Sequence, residues 1–213
     1  MTPKSGVLVY FFTPLMVLSM ATFDGLAAAP AAAEAEADHA HHHAPAEPGY
    51  RRSLHDIAVP HITLTRDDGT PVAFPAELAD GKPVVLNFIY TTCTAVCPML
   101  SHIFAGFQEK LGDEAKQLRM MSVSIDPEHD TPARLAAYAQ RYQAGPQWRH
   151  YGGTVEASMQ LQKAFGAYYG DKMNHRPVVF MRAAPGQPWV RLDGFATADD
   201  LVREYRRLLQ PPA

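Results

Sequence analysis

Apolar and polar positions between residues 50 and 210 follow two alternating periods, which predict strands and helices in turn. Residues 84–90 form a nearly continuous apolar run, typical of a central strand buried on both faces. Residues 118–125 form a second run of this kind. Between them, apolar side chains recur at helical spacing and predict an amphipathic helix that ends at Gly112: Leu100, Ile103, Phe104, Phe107 and Leu111.

The other predicted elements complete an α/β pattern. They are a hairpin around Asp67-Asp68-Gly69, a helix capped by Asp130 or Thr131, a short strand at 148–151, a helix at 155–165, strands at 177–181 and 189–193, and a closing helix at 198–209 with Leu201, Tyr205, Leu208 and Leu209 facing inward. Strands that alternate with helices predict a mixed central β-sheet flanked by helices. The early hairpin is expected as an N-terminal extension of this fold.

The first part of the chain has a different composition. Residues 1–29 combine Lys4, an apolar stretch and three small residues at 27–29, which predicts a signal peptide or a membrane anchor. Residues 30–49 are rich in Ala, Pro and His and are expected to be a disordered linker before a folded domain at 50–213. The domain should therefore be exported, to the bacterial periplasm or the periplasmic face of the inner membrane.

Four histidines in the linker, His39, His41, His42 and His43, have two interpretations. They can form a loose metal-binding tract, or they can be ordinary solvated residues.

The overall charge excludes one class of partner. The net charge is −3 and the sequence pI is about 6.3, so the chain has no basic footprint for nucleic acid. The chain has only two cysteines, too few for a disulfide scaffold, so their placement carries the information.

Those cysteines, Cys93 and Cys97, follow the strand at 84–90 and are expected on the first turn of the next helix, where both sulfurs can reach one atom. Three interpretations are open. A structural disulfide would close a very short loop and contribute little. A catalytic thiol pair fits the strand–Cys–helix order, although thioredoxin-like enzymes have two residues between the cysteines rather than three. A soft-metal site suits Cu(I).

A third ligand would favour the metal site. The histidines of the domain are His55, His61, His102, His129, His150 and His175. His175 directly precedes the strand at 177–181, whose start would face the cysteines in a thioredoxin-like sheet. Met173 is a weaker candidate, because Met120, Met121 and Met181 indicate that this chain uses methionine as core. Asp126 is interpreted mainly as a turn residue and secondarily as a hydrogen-bond acceptor beside the site.

Two segments resemble the Sco/SenC family of copper proteins that assemble cytochrome oxidase: Asn87-Phe-Ile-Tyr-Thr-Thr-Cys-Thr-Ala-Val-Cys-Pro98 and Met121-Ser-Val-Ser-Ile-Asp-Pro-Glu-His-Asp-Thr-Pro132. A weaker match runs from His175 to Met181 and on to Gly194. The resemblance implies a thioredoxin-like fold and one copper ion per domain held by Cys93, Cys97 and His175, as Cu(I) with Cu(II) left open. Asn174 departs from the family, which often has Asp there; Asp171 is a candidate substitute, and Arg176 and Pro177 are also atypical.

The resemblance further implies a metallochaperone. It would deliver copper to the dinuclear copper site of cytochrome c oxidase subunit II, or reduce the cysteines of that site; another exported copper protein is also a candidate recipient. A copper donor and a thioredoxin-like reductant are expected partners. When copper is absent, a Cys93–Cys97 disulfide can form. The alternative is an exported thiol:disulfide oxidoreductase that uses the same two cysteines.

Overall fold

The computed structural model describes residues 49–210, which form an eight-stranded sheet with helices on both faces. The strands are β1 (Tyr50–His55), β2 (Thr63–Arg66), β3 (Pro71–Ala73), β4 (Val84–Ile89), β5 (Arg119–Ser124), β6 (Trp148–Gly153), β7 (Val178–Arg182) and β8 (Trp189–Gly194). The helices are α1 (Phe74–Glu77), α2 (Val96–Leu111), α3 (Pro132–Arg141), α4 (Val155–Ala164) and α5 (Ala198–Leu208), with 3-10 turns at Gly112–Gln117 and Lys172–Asn174.

The sheet is mixed, as the sequence predicted. Its strand order is β1-β8-β7-β4-β5-β6-β2-β3. The central strands β4, β5 and β6 are parallel, and all other neighbours pair antiparallel. The predicted hairpin is β2–β3, at one edge of the sheet. Edge strand β1 pairs with β8, a pairing that the sequence pattern did not predict.

Strand β4 is buried on both faces, which accounts for its continuous apolar run. Val85 and Ile89 pack into the cluster formed with α2 and α5, while Leu86 and Phe88 pack into the opposite cluster, which includes Phe165 of the α4 end. The exception is Asn87, whose Oδ1 accepts a hydrogen bond of 2.7 Å from Ser122 on β5. The core therefore holds β4 rigidly beneath the cysteine loop that follows it.

Two predictions about helix ends are wrong. Helix α2 begins at Val96, so only Cys97 is helical and Cys93 lies in the preceding loop. Pro98 explains this start, because a proline ring clashes with the helical carbonyl four residues earlier, here that of Thr94. At the other end of the chain, α5 stops at Leu208, and Leu209, expected to face inward, is 49% exposed.

The predicted leader at 1–29 and almost all of the linker at 30–49, with its four histidines, lie outside the described residues. Between residues 49 and 210, no helix has the length and apolar character needed to cross a bilayer.

Candidate metal centre

Strand order brings the two cysteines and His175 to the same edge of the sheet. The cysteines follow the carboxyl end of β4, while His175 precedes β7. Because β7 runs antiparallel to β4, with Val179 opposite Asn87, the start of β7 lies beside the end of β4. Open α/β sheets commonly place their binding sites at this edge.

The loop after β4 is fixed by a buried carboxylate. Asp130 accepts hydrogen bonds from the backbone N–H of Thr91 at 3.1 and 3.2 Å and from its hydroxyl at 2.5 Å. The Ser124 hydroxyl, at the end of β5, donates to the same carboxylate at 2.6 Å. The sequence offered Asp130 or Thr131 as the cap of α3. Thr131 has that role, and Asp130 instead anchors the cysteine loop.

The two cysteines differ in environment. Both are free thiols; Cys97 is fully buried and Cys93 is partly exposed. The backbone N–H of Cys97 donates to Cys93 Sγ at 3.3 Å. Burial by itself would raise the pKa of Cys93, but hydrogen bonds from the backbone N–H groups of Cys97 and Ala95 outweigh it and lower that pKa. Burial raises the pKa of Cys97 well above the usual range of a thiol. Cys93 is therefore the accessible and more acidic thiol.

His175 is a buried imidazole without hydrogen bonds. Neither ring nitrogen has a hydrogen-bond partner among residues 49–210. Burial lowers the pKa of His175. The backbone carbonyl of Phe88 lies near enough to oppose that shift but makes no hydrogen bond of normal geometry with either ring nitrogen, so the ring is neutral at physiological pH. Buried polar atoms are nearly always paired, so an unpaired imidazole indicates a ligand that is not part of the protein chain. Neutral imidazole is the form that binds metals.

Cys93 and His175 line one small pocket of about 90 Å³. Tyr90 and Met173 complete its side-chain walls, and residues 94–96 close another side. The Tyr90 ring meets the His175 ring edge to face, with centroids 6.5 Å apart. The pocket therefore joins a thiol, a thioether and an unpaired imidazole.

The pocket does not bring all three predicted ligands into contact. Cys97 is buried beside the pocket and does not line it. Over the described range 49–210, no three His, Cys, Asp or Glu side chains are grouped as a metal site would require. His102, by contrast, packs on Tyr142 with ring centroids 5.1 Å apart.

The loop that carries His175 is tied down by an ion pair. Lys172 Nζ lies 2.6 Å from Asp126 Oδ2, and Asp126 also contacts His129 Nδ1 at 3.0 Å. Lys172 lies over the Tyr90 ring as well, 5.7 Å from its centroid. Asp126 is therefore more than the turn residue that the sequence favoured. In the sequence, this role was indicated by an acidic residue directly after a predicted central strand. That pattern could not by itself identify Lys172, 46 residues away, as the partner.

The family departure beside His175 is not compensated by Asp171. Its Oδ1 accepts the backbone N–H of Met173 at 2.8 Å and so caps the 3-10 turn. Asn174 is exposed, and neither side chain hydrogen-bonds the imidazole. Asp126 is the carboxylate that supports this loop. It pairs with Lys172 and so holds the loop in place, but it does not contact the imidazole ring.

Lys172→Met should loosen this loop without unfolding the domain. The change removes a charge-assisted hydrogen bond from a partly exposed lysine to a buried carboxylate, which is worth about 1 kcal/mol. That energy corresponds to about a fivefold increase in the equilibrium constant for local opening of the loop. Hydrogen exchange of residues 171–177 should accelerate by that factor. Lys116→Met is the matched control, because Lys116 pairs with the exposed Asp113. Equal exchange in wild type and Lys172→Met would contradict the tether.

The SCO1/SenC family model matches residues 53–210, which include the cysteine loop and His175. The chain belongs to the SCO1/SenC family. It is 33% identical over 81 residues to a SCO1 protein homolog of Bacillus subtilis, covering 38% of this chain and 41% of that protein. It is 31% identical over 110 residues to a protein of Stutzerimonas stutzeri named as copper-binding, covering 51% and 52%. The SCO1/SenC chain thus matches about half the length of these relatives.

Solved structures place the fold in the same family. The structure of BsSco, described as a member of the Sco family of cytochrome c oxidase assembly proteins with a disulfide switch, superposes with a TM-score of 0.61 at 25% identity. The match covers 74% of this chain and 98% of that one. The expected thioredoxin-like, mixed α/β fold and the family resemblance are both confirmed.

Proposed function

We propose that this SCO1/SenC protein is an exported metallochaperone that binds one copper ion through Cys93, Cys97 and His175. It would deliver the ion to a copper site in an exported partner, with the dinuclear site of cytochrome c oxidase subunit II as the first candidate. The names of its relatives support both halves of the proposal, since one is described as copper-binding and another as belonging to oxidase assembly proteins.

One observation carries the copper assignment: the unpaired, neutral imidazole of His175 lines the same pocket as the Cys93 thiol. Thiolate and imidazole together suit Cu(I), which prefers soft ligands and a low coordination number. Ligation requires thiolates, so binding releases protons, and the raised pKa of the Cys97 thiol makes that sulfur the costlier one to engage. In our proposal the Cys97 side chain turns toward the pocket as copper binds.

Partial exposure of the site suits a carrier. Cys93 is reached from solvent, while Cys97 is fully buried in the first turn of α2. A partner thiolate can therefore approach copper from the Cys93 side. The ion would then pass by ligand exchange, one sulfur after another, and would stay Cu(I) throughout.

An anaerobic Cu(I) titration of the reduced full chain tests this proposal. A background in which His39, His41, His42 and His43 are all alanine removes binding by the linker. In this background, the protein with its site residues intact should bind one equivalent of Cu(I) tightly in competition with a Cu(I) chelator. The Cys93→Ser, Cys97→Ser double variant should lose it, and His175→Ala should weaken it.

His102→Ala is the matched control for His175→Ala, because His102 meets the Tyr142 ring edge to face and does not line the pocket. Circular dichroism establishes that each variant is folded. Absence of tight binding in the wild-type site would refute the copper proposal, and binding indifferent to His175 would remove its third ligand.

The thiol asymmetry favours a second candidate, a thiol:disulfide oxidoreductase. The Cys93 thiolate would attack a partner disulfide, forming a mixed disulfide and releasing one partner thiolate. Cys97 would lose its proton and displace the second partner sulfur, which leaves a Cys93–Cys97 disulfide and a partner dithiol, two electrons richer. An assay with a disulfide substrate separates this function from copper binding, because His175→Ala should leave exchange active and Cys93→Ser should abolish it.

A further inference from the structure

Met173 differs from the methionines of the core. Met120, Met121 and Met181 are completely buried, as the sequence predicted. Met173 is 72% exposed and does not belong to the core. Single exposed apolar side chains are common on protein surfaces and need no explanation. The position of the Met173 sulfur, rather than its exposure, calls for one.

The Met173 side chain lines the pocket that also contains Cys93 and His175. The Tyr90 hydroxyl, itself at this pocket, donates to Met173 Sδ at 3.7 Å. That weak hydrogen bond uses one lone pair of the thioether and leaves the second available. This contact places the sulfur at the rim of the pocket, while most of the Met173 side chain is exposed to solvent.

The backbone also fixes Met173 relative to His175. Both belong to the segment around the Lys172–Asn174 3-10 turn, where the Met173 N–H is bonded to Asp171 and the neighbouring Lys172 is paired with Asp126. A thioether and an imidazole two residues apart, on a tethered turn, therefore face one thiol. Thioether sulfur is a soft ligand that binds Cu(I) and has little affinity for harder ions.

We propose that Met173 Sδ is an additional ligand for Cu(I) in this pocket and that it makes the site discriminate Cu(I) from Cu(II). The inference rests on the proposed copper site and adds to it a residue that sets the preferred oxidation state. Tyr90 acts as the positioning residue for this sulfur. No electron is transferred in the step: the thioether donates a lone pair to Cu(I) and keeps its oxidation state.

The test compares Met173→Leu with Met99→Leu in the full chain that lacks the linker histidines. Met99 is also largely exposed, at 50%, and lies on α2 without lining the pocket, so the two variants lose the same sulfur from different places. Met173→Leu should weaken Cu(I) binding about tenfold, within the range seen when groups supporting a metal are removed. Cu(II) affinity should stay constant. Since only the reduced form loses affinity, the Cu(II)/Cu(I) potential should fall by about 59 mV.

X-ray absorption of the Cu(I)-loaded protein gives an independent readout, because Met173→Leu should show one sulfur scatterer fewer than wild type. If Met173→Leu matches Met99→Leu in Cu(I) affinity, the proposal is overturned. Equal weakening of Cu(I) and Cu(II) would also overturn it, because that result would mean the side chain only shapes the pocket. Failure of the wild-type site to bind Cu(I) would instead refute the copper function itself.

Discussion

In the metal-free, reduced protein, an alkylating reagent should modify Cys93 on the order of 100 times faster than Cys97. Thiolate is the reactive form and the reagent must also reach the sulfur. Cys93 meets both conditions, since it is partly exposed and hydrogen bonds from the α2 N-terminus lower its pKa. Cys97 meets neither, because it is fully buried and burial raises its pKa.

The pH dependence follows from the direction of the Cys93 shift. A lowered pKa means that the thiolate is populated at lower pH than in an exposed cysteine. The alkylation rate of Cys93 should therefore rise and level off at a lower pH than that of a cysteine-containing peptide. Peptide mass spectrometry after timed quenching gives both site-specific rates.

Unfolding is the control for this experiment. In concentrated urea the two environments become alike, and the two rates should converge. Equal rates in the folded protein would mean that Cys97 is reached from the pocket without rearrangement. That result would contradict the asymmetry on which the order of sulfur attack depends, in copper release and in disulfide exchange alike.

Local patterns predicted most of the fold correctly. The stripe of α2, the two central strands, the Thr131 cap and the antiparallel β7–β8 pair each depend on residues close together in the chain. Edge strand β1 was missed because its pairing partner β8 lies well over 100 residues away and its polar sequence, Tyr-Arg-Arg-Ser-Leu-His, has no strong period. Long-range pairing of a polar strand leaves little trace in local composition.

The sequence identified the residue types of the candidate site better than their geometry. Cys93 and His175 were correctly expected at one sheet edge, because strand order alone places them there. The helix start was misplaced at Cys93, although Pro98 contained the steric information needed to exclude it. The exposure of Met173 and the Lys172–Asp126 pair depend on how a loop folds over β5, which no periodicity encodes.

The polar groups of this sheet edge divide into two kinds. Asp130 and Asp126 each bond to several partners and hold the two loops in place. His175 has no hydrogen bond within residues 49–210, and the thioether of Met173 has one weak one. The carboxylates, whose hydrogen bonds are complete, hold the loops that carry the imidazole and the thioether. The site is therefore kept rigid by residues that need not touch the metal.

At the opposite end of the sheet, Glu77→Ala should lower the free energy of unfolding by about 3 kcal/mol. Glu77 is buried and accepts a bidentate pair from Arg66 at 2.5 and 3.1 Å and a 2.8 Å bond from the Tyr151 hydroxyl. Arg119 adds a longer contact at 3.5 Å. The substitution leaves two partly buried guanidinium groups without this carboxylate, which is the costly way to break such a network.

Urea unfolding followed by circular dichroism measures this loss, and Glu109→Ala is the matched control because Glu109 is exposed on α2 and makes no ion pair among residues 49–210.

Burial would raise the pKa of Glu77, but Arg66 and Tyr151 outweigh it, so the folded-state pKa lies below the ordinary 4.5. The stabilisation is therefore present above pH 4.5 and is lost as the pH falls through the folded-state value. Glu77→Gln should remove that part of the acid sensitivity. The prediction is contradicted if Glu77→Ala lowers the free energy of unfolding no more than Glu109→Ala does. That result would mean that Arg66 and Arg119 are hydrated without loss of stability and that apolar contacts alone hold the β2–β3 hairpin.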